Sequence, residues 1–319
     1  MRTLVVLLAL GLSLAAGPAD AGKRRPAAPK DGFARQSDIL AWIQGYRAKR
    51  DARALPRAVR AMSRHGLFRD PDAAGLYIGF LAGVIADNQT EAETLIAGLF
   101  PMPPMEQVIL IRAIAYSGLP EWKLLLGRFA ERMPARIVLI KRYVDGKLKV
   151  LRELPLDASP AVIDAHWGYY YATGSYQPLQ RIIQALSWSN EKSDVEKLTI
   201  ASMAKWTLAT NAQREKDVLD LLKLELAHQP KPIAQQLRQI IEAAETFETG
   251  RIRKEALAAI EDLKRRGPAK SKWNWARIGQ TALALLCVGA GVTGHQEVAV
   301  PCVLTGAVSE AALKFWGDP

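Results

Sequence analysis

Apolar residues recur at helical spacing along most of the chain, in paired segments separated by short polar or glycine-containing breaks. In the first segment, Ile39, Ile43 and Tyr46 form one apolar face. The pairs begin near residues 38, 72, 104, 160, 194 and 231. Four of the five intervals are 32 to 37 residues long, which suits stacked helical hairpins, and the fifth, of 56, leaves room for an irregular region. No alternating strand pattern occurs before residue 280, so we expect an all-α fold.

The segment 163–187 has the clearest hairpin pattern, with a break at Gly174. Glycine can adopt the left-handed conformation that ends a helix, and Pro178 suits the first turn of the helix that follows. Tyr170, Gly174 and Tyr176 have the relative spacing of a tetratricopeptide repeat, which this hairpin resembles over about 25 residues. The resemblance implies a TPR-like α-solenoid, a superhelix of stacked hairpins with a concave face for other proteins.

Aromatic side chains are concentrated in the same hairpin. Trp167 stands where the repeat has a small residue, and Tyr170, Tyr171 and Tyr176 follow it. Together with Arg181, these rings could line the concave face and bind a ligand. At the same spacings they can instead pack in the core and between helices, which is the more common role. The sequence leaves both interpretations open.

The later part of the chain continues in the same pattern. A second hairpin is predicted over 194–226, with its break near Asn211. One more amphipathic helix ends at Gly250, and 251–266 follows as a strongly charged helix. We therefore assign 36–250 to a single helical-repeat domain.

The amino-terminal residues have the features of an export signal. Arg2 precedes an apolar run at 4–16, and Ala19-Asp20-Ala21 matches an A-x-A cleavage site. We expect a cleaved signal peptide over 1–21, and hence a periplasmic or secreted protein; an uncleaved anchor is the alternative. The basic, proline- and alanine-rich residues 22–35 are predicted to be a linker.

A basic segment follows the repeat domain. Residues 251–277 carry nine basic and three acidic side chains, in a chain of net charge +11. An apolar segment, 278–319, comes next and is predicted to form a small carboxyl-terminal hairpin. Cationic residues and tryptophans beside an apolar segment are typical of an anionic membrane surface. The candidate membrane-surface contacts are Lys264, Arg265, Arg266, Lys270, Lys272, Trp273 and Trp275.

Two interpretations of this apolar segment stay open. Its run at 281–294 is 14 residues long, short of the roughly 20 that cross a bilayer, which favours a hairpin buried on the helical domain over membrane insertion. Cys287 and Cys302 are the only cysteines, and in an oxidising compartment we expect them to form a disulfide. The alternative is a pair of buried thiols.

Catalytic and cofactor motifs are absent from the sequence. Residues 289–294 match G-x-G-x-x-G, but too few residues follow to complete a dinucleotide-binding domain. The chain has no G-x-S-x-G, phosphate loop, C-x-x-C or H-E-x-x-H, and isolated histidines such as His166 are typical of surface or packing positions. We therefore expect no enzyme activity, cofactor or metal.

The basic charge and the expected export together define the class of partner. The sequence pI is about 9.7, which favours anionic partners, and export argues against nucleic acid. We expect an exported scaffold that binds another protein or the cell envelope. The alternative is an envelope enzyme, such as a cell-wall hydrolase, whose catalytic carboxylate no motif reveals.

Overall fold

The computed structural model describes residues 32–266, and within this range the chain is all-α, with no strand. The prediction of an all-α fold is confirmed for these residues. The helices are α1 Gln36–Lys49, α2 Leu55–Arg64, α3 Gly75–Asp87, α4 Ala92–Ala97, α5 Gln107–Tyr116, α6 Trp122–Arg128, α7 Ile137–Val144, α8 Pro160–Thr173, α9 Gln177–Gln184, α10 Val195–Arg214, α11 Lys216–Leu226, α12 Lys231–Glu245 and α13 Thr249–Arg266. The predicted pairs begin at α1, α3, α5, α8, α10 and α12, and the short helix α7 fills the long interval.

The breaks between helices follow local backbone chemistry. Gly174 has φ of 71° and ends α8, where its N–H donates to the carbonyl oxygen of Tyr170 at 2.7 Å. Pro178 lies in the first turn of α9, as predicted. The break predicted near Asn211 comes four residues later, at Glu215, which separates α10 from α11. Asn211 lies inside α10, and its amide donates to the Thr207 carbonyl oxygen, which keeps that turn helical.

Helix α3 is the most deeply buried element of the described structure. Its sequence, GLYIGFLAGVIAD, has no polar residue before the last position, and residues 75–85 are all buried. A helix that is apolar on every side must be covered on every side. The helices packed most extensively against it are α8 and α5.

Glycines bring the backbones of α3 and α8 into direct contact. Gly75, Gly79 and Gly83 recur every fourth residue and face α8. A Cβ atom at Gly79 would overlap the carbonyl oxygen of Ala165, and one at Gly168 would overlap that of Leu76. No side chain larger than hydrogen fits there, so the sequence of α3 fixes how closely α8 approaches.

The order of packing differs from that of a simple solenoid. In a sequential stack each hairpin contacts only its neighbours, yet α3 packs against α8 although four helices, α4 to α7, lie between them in sequence. Helix α1 also packs against α8. From α8 onward the hairpins do follow one another, with α10 packed against α11, α12 and α13. The amino-terminal hairpins therefore fold back onto the middle of the chain.

One arginine connects the first helix to the later hairpins. Arg47 of α1 donates to Asp217 and Glu215, both at 2.5 Å, and its guanidinium lies 4.3 Å from the centre of the Tyr170 ring. The side chain of Arg47 is only 18% exposed, so these contacts are screened less than a surface ion pair. They link α1, α8 and the start of α11.

Several predictions fall on residues outside this range. These are the signal peptide 1–21, most of the linker 22–35, the apolar segment 278–319 and the Cys287–Cys302 disulfide.

Each helix within residues 32–266 is either too short or too polar to span a lipid bilayer.

The glycine contact predicts opposite effects for two glycine substitutions. Gly79→Ala should lower the free energy of unfolding by about 3 kcal/mol or more, because backbone atoms of α8 occupy the space of the new methyl group. Gly45→Ala, on the exposed side of α1 where nothing lies within 4 Å, should raise it by roughly 0.5–1 kcal/mol. Urea unfolding of both variants measures the difference. Equal effects would show that α3 and α8 are not in backbone contact.

Candidate functional site

The aromatic group that could form a binding face is mostly buried. Trp167, Tyr170 and Tyr171 have no exposed surface, and each ring centroid lies 5.8 Å from the other two. A binding face made of these rings is therefore wrong for the described structure. The alternative of core and inter-helix packing holds, because α8 is enclosed by α1, α3 and α10.

The polar ends of the three rings are satisfied by the neighbouring hairpin. Buried indole and phenol groups need hydrogen-bond partners. Each partner lies on α10 or α11, and the bonds are from Trp167 Nε1 to Thr207 Oγ1 at 3.0 Å, from Tyr170 Oη to Asp217 Oδ2 at 2.7 Å, and from Tyr171 Oη to Asn211 Oδ1 at 2.5 Å. These side chains orient two hairpins relative to each other and leave no donor for a ligand.

The two remaining members of the predicted face have different surroundings. Tyr176 is 51% exposed, whereas Arg181 donates to the carbonyl oxygen of Leu154 at 3.0 Å and to Gln184 at 2.6 Å. Arg181 therefore stabilises the connection before α8. Of the five residues, only Tyr176 offers an open ring.

A second set of residues, which the sequence analysis did not single out, forms a basic surface on α2 and the turn before it. Arg53, Arg57, Arg60 and Arg64 are spaced four, three and four residues apart, so they share one side of the helix, and all four are exposed. We call them the arginine face. The opposite side of α2 is apolar and buried, and consists of Leu55, Ala58, Val59, Ala61 and Met62.

Positive charge is denser here than anywhere else in the described chain. Residues 47–69 contain eight basic side chains and one acidic side chain, Asp51. Among residues 32–266, no carboxylate forms an ion pair with Arg53, Arg57 or Arg60. These three guanidinium groups are therefore available to an external anion.

The chemistry of this surface suits an extended anionic partner. The four arginines span eleven residues, which at the helical rise corresponds to about 16 Å. A guanidinium group has a planar fork of donors that binds carboxylates and phosphates through two parallel hydrogen bonds. Because α2 is held by its buried apolar side, the four groups are presented on a rigid support.

The sequence did contain a signal for this surface. The spacing R-x3-R-x2-R-x3-R identifies one side of a helix. The sequence analysis instead placed the anion-binding surface at 251–277, where the run of basic residues is longer. Of the candidate membrane contacts there, the structure describes the side chain of Arg265, which is 78% exposed and lies 3.8 Å from Asp262. The side chains of the other six lie outside the described set.

His166 and Asp164 of α8 each have a buried polar atom without a hydrogen-bond partner among the described residues. His166 is 3% exposed, and its Nε2 atom has no hydrogen-bond partner among the described residues. Burial and the nearby Arg181 guanidinium lower its pKa to about 4. Burial raises the pKa of Asp164 well above its ordinary value, and the Asp164 carboxylate lies near Tyr77 of α3. The two groups face different neighbours, so they do not form an acid–base pair.

Neither metal ligation nor similarity to known proteins identifies a site. Within residues 32–266, no group of three His, Cys, Asp or Glu side chains could hold a metal ion. No family model, curated protein or solved structure matches the chain. The arginine face is therefore identified by its own geometry and charge.

The neutral, buried His166 predicts a loss of stability in acid. The unfolded chain binds a proton near pH 6.5 that the folded chain does not bind until about pH 4. The contribution of His166 to stability should be full above pH 6.5 and fall by roughly 3 kcal/mol as the pH drops to 4. His166→Leu removes this contribution, so the difference between the parent and the variant should vary with pH in that window. A constant difference in urea unfolding would show that His166 is not held neutral.

Proposed function

We propose that this protein is an exported, non-catalytic helical scaffold of the TPR-like class, which binds an acidic segment of a partner protein through the arginine face. One observation carries the proposal. Three exposed guanidinium groups without an internal carboxylate partner lie in a row on a helix whose other side is buried. Two other surface arginines are paired within the chain, Arg50 with Asp87 and Arg112 with Asp72.

The shape of the surface favours a protein segment over a lipid bilayer. An amphipathic helix that lies in a membrane inserts its apolar side among the lipids. The apolar side of α2 is already buried in the protein, so only its charged edge is accessible. A narrow row of arginines matches the carboxylates of an extended or helical acidic segment, and each fork can bind one carboxylate in two-point geometry.

The rest of the chain has supporting roles in this proposal. The predicted signal peptide 1–21 would take the protein to the periplasm or the exterior, where nucleic acid is not the expected partner. The basic residues Lys270 and Lys272 and the tryptophans Trp273 and Trp275 would hold the carboxyl end near an anionic envelope surface. The arginine face would then be free to recruit the partner.

Charge reversal on the arginine face tests the proposal. The double variant Arg57→Glu and Arg60→Glu should weaken binding of the full chain to a fluorescent oligoglutamate peptide by about tenfold or more, since it replaces two attractive contacts by repulsive ones. Fluorescence anisotropy at physiological salt gives the dissociation constants. Binding of the parent protein should weaken as salt is added.

A second pair of substitutions controls for net charge. Lys141→Glu with Arg142→Glu, on the exposed side of α7, changes the net charge by the same amount away from the arginine face. It should leave peptide binding within about twofold of the parent. Equal losses in the two variants would contradict the proposal. Binding to phosphatidylglycerol vesicles without binding to the peptide would identify a membrane as the partner and would also contradict it.

A further inference from the structure

A cavity of about 220 Å³ lies among three helices of the carboxyl-terminal half, away from the arginine-bearing helix α2. Helix α10 packs against both α12 and α13, and the cavity opens where these three meet the loop at 189–190. Its floor includes the apolar residues Leu198 and Ile252, which are 4% and 2% exposed. Its remaining lining is mainly polar.

Helical spacing concentrates amides and an amine on the cavity wall. On α12, Gln235 and Gln239 share one side of the helix, with Gln236 beside them. On α10, Lys205 follows Leu198 by seven residues and therefore lies on the same side. Of the three glutamines only Gln236 is buried, whereas Gln235 is exposed and Gln239 is half-buried; a buried amide needs partners for its oxygen and its nitrogen.

Gln236 is the most deeply buried polar side chain of the cavity lining. It is 5% exposed, and its Oε1 atom has no hydrogen-bond partner among the described residues. A buried acceptor without a partner costs about 1–3 kcal/mol. The Oγ atom of Ser189, also on the cavity wall, has no partner among them either. A ligand that donates hydrogen bonds at this place would satisfy both.

Lys205 and Glu255 give the cavity two charges of opposite sign. Lys205 Nζ donates one proton to Gln239 Oε1 at 2.5 Å, which leaves two protons for another acceptor. Burial lowers the pKa of Lys205, the Glu255 carboxylate opposes that shift, and the Arg251 guanidinium adds to it. Glu255 also lies 3.9 Å from Arg251, at the edge of the cavity. The cavity therefore offers a cationic donor at one place and carboxylate and amide acceptors at another.

We propose that this cavity binds a small zwitterion, namely a free amino acid or a short peptide. Its carboxylate would accept from Lys205, and its ammonium group would donate to Gln236 Oε1 and to Glu255. Leu198 and Ile252 would contact an aliphatic side chain. The volume admits a small molecule only, and a simple anion would leave the unsatisfied oxygen of Gln236 without a donor. This site is separate from the arginine face and does not depend on the function proposed for it.

Calorimetric titration of the full chain with alanine, leucine, glutamate, lysine and alanylalanine, in both L and D forms, tests the proposal. At least one should bind, and its N-acetyl and carboxamide derivatives should bind about tenfold more weakly, because each lacks one of the two charges. Lys205→Met should weaken binding of the zwitterion by a similar factor. No binding by any member of the panel would overturn the proposal, as would equal binding of the blocked derivatives.

Gln236→Leu separates ligand binding from folding. Leucine fills the same space without a polar atom, so the variant should unfold at a higher urea concentration than the parent and yet bind the zwitterion about tenfold more weakly. Glu261→Gln, on an exposed part of α13 outside the cavity lining, is the matched control and should leave the affinity within about twofold. Unchanged affinity in Gln236→Leu would overturn the assignment of the cavity as the site.

Discussion

The backbone contact between α3 and α8 is the constraint on which the described structure depends. Three glycines on one side of α3 let the two helices approach until only hydrogen fits between them. This contact buries the most apolar helix among residues 32–266 and joins two segments that are far apart in sequence. Close approach of two backbones gains dispersion energy along the whole interface, but it tolerates no added atom.

Helix α8 also takes part in other long-range contacts. Helix α1 packs on it and is tied to α11 through Arg47. The rings of Trp167, Tyr170 and Tyr171 extend from the same helix into the next hairpin, where three polar side chains bind their tips. Helix α2 follows α1 after a short turn, so the packing of α1 on α8 fixes where the arginine face lies. A rigid support of this kind lets a row of flexible arginines act as one surface.

Local features of the sequence were sufficient to predict the helices but not their packing. Apolar periodicity and Gly174 indicate where α8 begins and ends, because the boundaries of a helix depend mainly on residues that are close in sequence. The pairing of α3 with α8 depends on glycines that act only when another backbone is present, so periodicity does not reveal it. Asn211 looked like a break because asparagine favours turns; its buried partners, Tyr171 and Thr207, keep it in a helix. The arginine face was readable from spacing alone.

Arginine side-chain NMR of the full chain gives the most direct test of where an acidic partner binds. The Nε–Hε signals of Arg53, Arg57, Arg60 and Arg64 report on each guanidinium group separately. On addition of an oligoglutamate peptide, we expect shifts in the signals of Arg53, Arg57 and Arg60 and none in that of Arg47, which is already held by Asp217 and Glu215. Shifts spread evenly over the exposed arginines, or confined to residues 251–277, would contradict the account.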